Sequence, residues 1–330
     1  MPPLTLAQAE DLVVATLTRC RTRADNAASV ARALVACEAD GLKGHGLSRL
    51  PSYAAQAKVG KVDGFAVPVV TQPRPAIVAV DAAHGFAFPA IEAALSALPP
   101  VVRAQGVAAA PIRRSHHCGA AGHPVEKLAE AGLAALMFAN TPAAIAPWGG
   151  SRPLFGTNPI AFACPRSGHA PVVIDLSLSK VARGNIMAAK QRGEKIPPGW
   201  ALDQAGQPTT DPDAALRGTM LPLGDVKGTA LSLMVELLAA GLTGANFAAE
   251  ASSFLDAKSP PPGTGQLIIA FDPAALGGED TLARLAQLAA MVEAEPGARL
   301  PGSRRLAARH KAASEGVSVP DALLAEIEAA

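Results

Sequence analysis

The chain has few aromatic residues, 4% of 330, with one tyrosine and two tryptophans. It is also poor in charge: Asp, Glu, Lys and Arg make up 17% and nearly cancel, 29 basic against 28 acidic. A net charge of +1 excludes the positive field needed to capture nucleic acid or an acidic membrane surface. Four cysteines, Cys20, Cys37, Cys118 and Cys164, show neither the density of a disulfide scaffold nor CxxC spacing, which fits a reduced, cytoplasmic chain. The opening Met1-Pro2-Pro3-Leu4-Thr5 has no basic stretch leading into an apolar core, so no secretory peptide is expected. The longest charge-free stretch, between Glu130 and Arg152, is interrupted by Asn140, Pro142, Pro147, Gly149 and Gly150. Those breakers make it strand, turn and loop instead of a membrane span.

Familiar catalytic signatures are missing too. There is no GxGxxG, since Gly263-Thr264-Gly265 and Gly44-His45-Gly46 lack the third glycine, and no GxxxxGK[ST], HExxH or GxSxG. His116 and His117 are adjacent, so on a strand they would face opposite ways and not share an ion; no metal site is expected.

What the chain does have is apolar: 49% of its residues are hydrophobic, rich in alanine, and its length suggests two or three lobes. About three quarters of the unfolded surface would be buried on folding. Thr5 and Gln8 have capping-box form ahead of a helix over 6–20, and a second helix runs from Asp25 towards a stop at Gly41. From Ala76 short apolar runs alternate with helical patterns. Strands are expected over 76–80, 107–112, 133–139, 159–163, 172–176 and 266–271, and helices over 89–103, 124–131 and 226–242. The tail from Thr281 is helical again, broken near Pro296 and Pro301. The pattern predicts an α/β (α+β) fold, a mixed sheet covered by helices, with a helical lobe (1–75 plus 285–330) beside a sheet domain (76–284).

Three polar clusters carry the chemistry. In Asp40–Arg49, glycines flank His45, and Arg49, four residues on, has the spacing to share its helical face and grip a carboxylate. The same residues also fit a plain helix–helix turn with solvated ends. In Arg113–Pro124, small residues at 119–122 before a helix leave room for a flat or phosphorylated ligand, and His116 or His117 suits acid–base work. An ordinary strand-to-helix turn fits as well. The third cluster pairs Gly156-Thr157-Asn158-Pro159 with Asp175 at a strand end, followed downstream by Lys227 at the start of an apolar helix.

Together these segments resemble the malate/L-lactate dehydrogenase family, which has a non-Rossmann NAD(P)-binding fold. The resemblance rests on Gly44–Arg49, His117–Gly122, Gly156–Pro159, Asp175–Ser177, Gly206–Asp211, Leu221–Gly228 and Leu300–Arg305, in one order along nearly the whole chain. Within the family the chain is most similar to the Δ1-piperideine-2-carboxylate/Δ1-pyrroline-2-carboxylate reductases. It shares with them Val80–Phe86, Val235–Ala240 with Thr243-Gly244, and Thr264–Ile269.

The resemblance implies a largely antiparallel mixed sheet and NAD(P)H-dependent hydride transfer, with NADPH preferred and NADH possible. It also implies a homodimer with its active site near the subunit interface. His45 would be the reductase-type acid/base, whereas His117 matches the proton-transfer histidine of the hydroxy-acid members. Arg49 would hold the substrate carboxylate and Thr157 would touch substrate. His117, Cys118, Gly119, Ala120, Ala121, Asp175, Leu176, Ser177, Lys227, Gly228 and Arg304 would surround the cofactor. Two positions depart from the reductase pattern: Gly44 stands where those relatives have serine, and Asn185 aligns with an aspartate. A Ser–His–Asp relay is therefore not intact, leaving His45 alone or aided by water or Ser48. The expected activity is reduction of a small cyclic imino acid. The alternatives are a 2-hydroxy-acid dehydrogenase of the malate or lactate type, or a weakly catalytic dinucleotide-binding protein.

Overall fold

The computed structural model describes residues 2–330. Helix α1 (Leu6–Arg19) starts on the expected capping box: the Thr5 hydroxyl accepts from the Gln8 N–H at 3.2 Å, and the Gln8 side chain accepts from the Thr5 N–H at 2.9 Å. Helix α2 (Ala24–Ala39) stops before Gly41, which takes the left-handed φ of +76°. Two single 3-10 turns, Lys43–His45 and Leu47–Arg49, then lead into α3 (Leu50–Val59).

From here the chain builds a sheet: β1 (Val69–Arg74), β2 (Ile77–Asp81), α4 (Ala87–Gln105), β3 (Val107–Ser115), α5 (Gly122–Glu130), β4 (Ala134–Ala139), β5 (Ile160–Arg166) and β6 (His169–Leu176). Next come α6 (Arg183–Arg192), β7 (Ala201–Leu202), β8 (Pro208–Thr209), α7 (Pro212–Arg217) and β9 (Thr219–Met220), then α8 (Val226–Glu236). The chain closes with β10 (Thr264–Phe271), α9 (Pro273–Gly277), α10 (Thr281–Ala294), α11 (Ser303–Glu315) and α12 (Asp321–Ala329).

Seven strands form one mixed sheet in the order β1-β2-β3-β10-β4-β5-β6, in which only the β2–β3 pair is parallel. β10 arrives late in the chain yet lies mid-sheet, and its almost unbroken apolar run is what a strand covered on both faces requires. One core packs α4 and α5 on the sheet; a second fills the lobe of α1, α2, α3, α11 and α12; a third sits around the small β8-β7-β9 sheet.

Two elements lie across the division expected at 75 and 285. β1 pairs with β2 in the sheet, and α10 is tied to β5 through Arg166–Glu293 at 2.9 Å. Strand β1 escaped the sequence reading because its residues are exposed on both faces. The helix expected over 226–242 is also modified: α8 ends at Glu236 and the next turn widens into a π-helix over Leu237–Gly241. Gly265 of β10 lies against that turn, where a Cβ would come within 2.0 Å of the Ala239 carbonyl oxygen.

The helical lobe is fastened to α5 by charge. Asp40, at the end of α2, and Glu126 of α5 are both bonded by Arg305 and Arg309 of α11 at 2.7–3.3 Å. His123 joins with its Nε2 2.8 Å from Asp40 Oδ2. Burial opposes ionisation of Asp40, but bonds from His123, Arg309 and Arg305 outweigh it and hold its carboxyl well below the usual range. Burial likewise opposes the His123 charge, yet the Asp40 carboxylate and the Cys37 thiol raise it to about 9 from 6.5. Because His123 binds its proton more tightly when folded, its contribution is complete below pH 6.5 and is lost as pH rises towards 9. Chemical denaturation should therefore show stability declining across that window, and His123→Gln should flatten the decline. A wild-type slope in the variant would remove His123 as its source.

Candidate functional site

The 3-10 turns after α2 bring His45 and Arg49 beside the segment leaving β3. His45 stacks on His117, with ring centroids 5.2 Å apart and planes inclined by 12°. Tyr53, the chain's single tyrosine, lies one turn beyond Arg49 on α3 and puts its Oη 2.5 Å from His117 Nδ1. The phenol is fully buried, and burial holds its pKa above the ordinary value, so it stays protonated and either donates to Nδ1 or accepts from an Nδ1–H, according to the histidine tautomer. The first arrangement puts the proton of a neutral His117 on Nε2, and the second leaves Nε2 free to accept one. Phe254 covers the rings of both His116 and His117 at 5.1 and 5.3 Å. His116 faces elsewhere, with its Nε2 3.0 Å from Gln56 Oε1.

Arg49 is the charge that dominates this pocket. Its Nε donates to the Gly44 carbonyl at 2.6 Å, leaving the terminal nitrogens without a carboxylate among the described residues. Burial first, and then the Arg49 guanidinium, lower the pKa of His45 to about 4 and that of His117 well below 6.5. Burial with Lys61 and Arg49 does the same to His116, to about 3. The site thus presents neutral imidazoles beside an unpaired cation, a combination that accepts an anion. His45 Nδ1 is buried with no partner, so it too has capacity for a ligand group.

Thr157 sits in the turn before β5. Its N–H donates to Thr141 Oγ1 at 2.9 Å, the two threonine hydroxyls are 3.3 Å apart, and its carbonyl accepts from Leu178 N at 2.8 Å. Ser48 closes the first 3-10 turn by donating to the Lys43 carbonyl at 2.6 Å, so its hydroxyl hydrogen is already used. Asn185 lies exposed in the first turn of α6, and its side chain bonds neither histidine.

Of the segment expected around a cofactor, Cys118, Ala120 and Ala121 are buried, and Gly119 takes φ +70° where a Cβ would meet the Phe88 ring at 2.9 Å. The N–H of Gly122, at the start of α5, is taken: Asp175 Oδ2 accepts it at 2.7 Å. The helix start therefore already carries a carboxylate, which suits ribose hydroxyls better than a phosphate. Crowding by protein raises the Asp175 pKa, although the residue remains open to solvent. Leu176 is exposed, and Ser177 bonds the Ser179 hydroxyl at 2.8 Å. Gly228 is packed so closely that a Cβ would overlap the Leu223 carbonyl, a turn constraint in its own right. Lys227 and Arg304 stand exposed in the first turns of α8 and α11 without acidic partners. Among the described residues, no group of three or more His, Cys, Asp or Glu side chains is arranged to hold a metal ion.

The profile of the malate/L-lactate dehydrogenase family matches residues 4–328. The chain belongs to that family. Among relatives in the family, a (2R)-3-sulfolactate dehydrogenase (NADP(+)) of Chromohalobacter salexigens is 52% identical over 99% of this chain and 97% of its own. A Δ1-pyrroline-2-carboxylate reductase of Ancylobacter novellus is 42% identical over 99% and 96%. The crystal structure of Δ1-piperideine-2-carboxylate reductase from Pseudomonas syringae superposes with a TM-score of 0.94 at 40% identity, covering 100% of this chain and 99% of the other. The chain is thus an oxidoreductase with this family's mixed-sheet fold.

Sequence reading missed Tyr53, Phe254 and the buried carboxylate Glu236. Tyr53 had a readable signal in its i+4 spacing from Arg49; Phe254 and Glu236 reach their places only through long-range packing. An NMR titration should find the His45 imidazole neutral down to about pH 5, with its midpoint near 4. Arg49→Ala should raise that midpoint; no movement would mean that Arg49 does not act on the ring.

Proposed function

We propose that the chain is an NADPH-dependent reductase of a small cyclic imino acid, adding hydride at C2. The supporting observation is the unpaired Arg49 guanidinium beside two neutral, stacked histidines. Arg49 binds the substrate carboxylate through its free terminal nitrogens, a charge-assisted and potentially bidentate grip. Neutral imidazoles can stand next to a cationic C=N bond without repulsion, and an unpartnered His45 nitrogen can accept its N–H. Because a protonated imine arrives already electrophilic, the residues mainly orient it and exclude water. That lowers the demand on an acid–base relay and makes Gly44 and Asn185 tolerable.

The residues also fit a dinucleotide. Gly119 packs without a side chain, Ala120 and Ala121 add little bulk, and the second Asp175 oxygen remains free to accept. Lys227 and Arg304, both without acidic partners, are suited to phosphate groups and support NADPH over NADH. When bound, the reduced nicotinamide supplies the hydride; His117 to Ala121, Asp175 to Ser177, Lys227, Gly228 and Arg304 would hold it.

A second reading, NADP-linked oxidation of a 2-hydroxy acid, gains support from the 52% identical sulfolactate dehydrogenase. Here His117, in the tautomer whose Nδ1–H donates to Tyr53 Oη, takes the hydroxyl proton on Nε2. Tyr53 permits that tautomer, since its oxygen accepts from Nδ1–H as readily as its O–H donates. A homodimer is supported by the apolar residues that α8 and its continuation leave exposed, including Val226, Leu233, Leu237 and Leu242.

With NADPH, Δ1-piperideine-2-carboxylate and Δ1-pyrroline-2-carboxylate should turn over about tenfold or more faster than pyruvate, oxaloacetate or 3-sulfopyruvate. Faster turnover of the 2-oxo acids would reverse the order of the two readings. Arg49→Ala should cut kcat/KM by about 100-fold, chiefly through KM. An unchanged value would take Arg49 out of the site. Tyr53→Phe should slow hydroxy-acid oxidation more than imine reduction, and equal effects would deny Tyr53 a part in proton transfer.

A further inference from the structure

Glu236 is 5% exposed, and no cation reaches its carboxylate. Burial raises its pKa, yet three N–H donors converge on it: Asn158 Nδ2 at 2.7 Å, Asn140 Nδ2 at 3.1 Å and the Ala248 N–H. Three donors and no acceptor describe a group that works as an ionised acceptor. A buried charge is costly unless its bonds fix something the fold needs fixed.

What they fix is the turn that carries Thr157. Asn158 follows it directly, in a left-handed backbone conformation of φ +40° that costs energy for a residue with a side chain. Both ends of the Asn158 amide are engaged, with Nδ2 on Glu236 and on the Ser232 carbonyl at 3.1 Å and Oδ1 accepting from Thr141 N at 3.4 Å. Thr141 in turn holds Thr157 through the bonds described above. Gly156 cannot be enlarged, because a Cβ there would come within 2.2 Å of the Thr141 carbonyl. Asn140 extends the same hub to β10, where its Oδ1 accepts from Gly265 N at 2.8 Å. Glu236 is the last α-helical residue before the π-turn, so the change in helix type is where this carboxylate enters the hub.

We propose that Glu236 is a positioning residue for the reaction, holding the Thr157 hydroxyl at the substrate through Asn158 and Thr141. The proposal rests on the reading of Thr157 as a substrate contact. Glu236→Gln keeps the shape but turns one acceptor into a donor facing other donors, so the turn loses part of its anchorage.

The test is a double-mutant cycle between Glu236→Gln and Thr157→Val, read as kcat and KM for the carboxylate substrate with NADPH saturating. Glu236→Gln alone should lower kcat/KM by about tenfold, mostly through kcat, and Thr157→Val by a similar factor. The double variant should be no worse than Thr157→Val, because the hydroxyl being positioned is already gone. Multiplicative losses would overturn the inference and leave Glu236 a structural residue only. Wild-type kinetics in Thr157→Val would instead overturn the substrate role of Thr157, and the positioning role with it. If Glu236→Gln does not fold, Asn158→Ser, which cuts the same link from the loop side, takes its place in the cycle with the same expectations.

Discussion

The geometry of this molecule depends on two carboxylates, Asp40 and Glu126, held by two arginines from α11. Asp40 lies five residues before His45, and Glu126 lies on the helix that follows His117. The pairing therefore joins the two segments whose rings must stack. Arg305 and Arg309 come from the far end of the chain, so the C-terminal helices complete the tie between the helical lobe and the sheet. A partly buried ion cluster like this adds little net stability over an apolar core, but it is costly to break, since each lost partner leaves an uncompensated charge. Its value here is registration of one lobe on the other.

The same placement of charge explains the character of the site. His123 is drawn up to about 9 by Asp40, while His45 is driven down to about 4 by burial and Arg49. One histidine in the neighbourhood is thus a structural cation at neutral pH and the other a neutral ring, a difference that follows from which charge stands beside each. With these imidazoles held neutral and the Arg49 guanidinium without a carboxylate partner, the site suits an anionic group.

Much of this was legible in advance. Capping residues, period-2 apolar runs and the glycine stops located most helices and strands, and of the residues singled out by motif, His45, Arg49 and His117 come together in the fold. What stayed hidden has a common cause. β1 carries no alternation because both its faces are exposed. The π-turn after Glu236 lies against Gly265, in a strand almost thirty residues later. Asp175 looked like one of several ligand-facing groups, but only the fold reveals that it already occupies the N–H at the start of α5.

The sequence by itself determined the family, the mixed sheet and the identity of the charged and ring-bearing residues, because these rest on local periodicity and ordered motifs. The tertiary structure decided which histidine is charged, which arginine is free and which carboxylate is spent on the backbone. Those outcomes depend on burial and on partners tens to hundreds of residues away, and electrostatic energies in a poorly solvated interior are set by such neighbours and not by chain order.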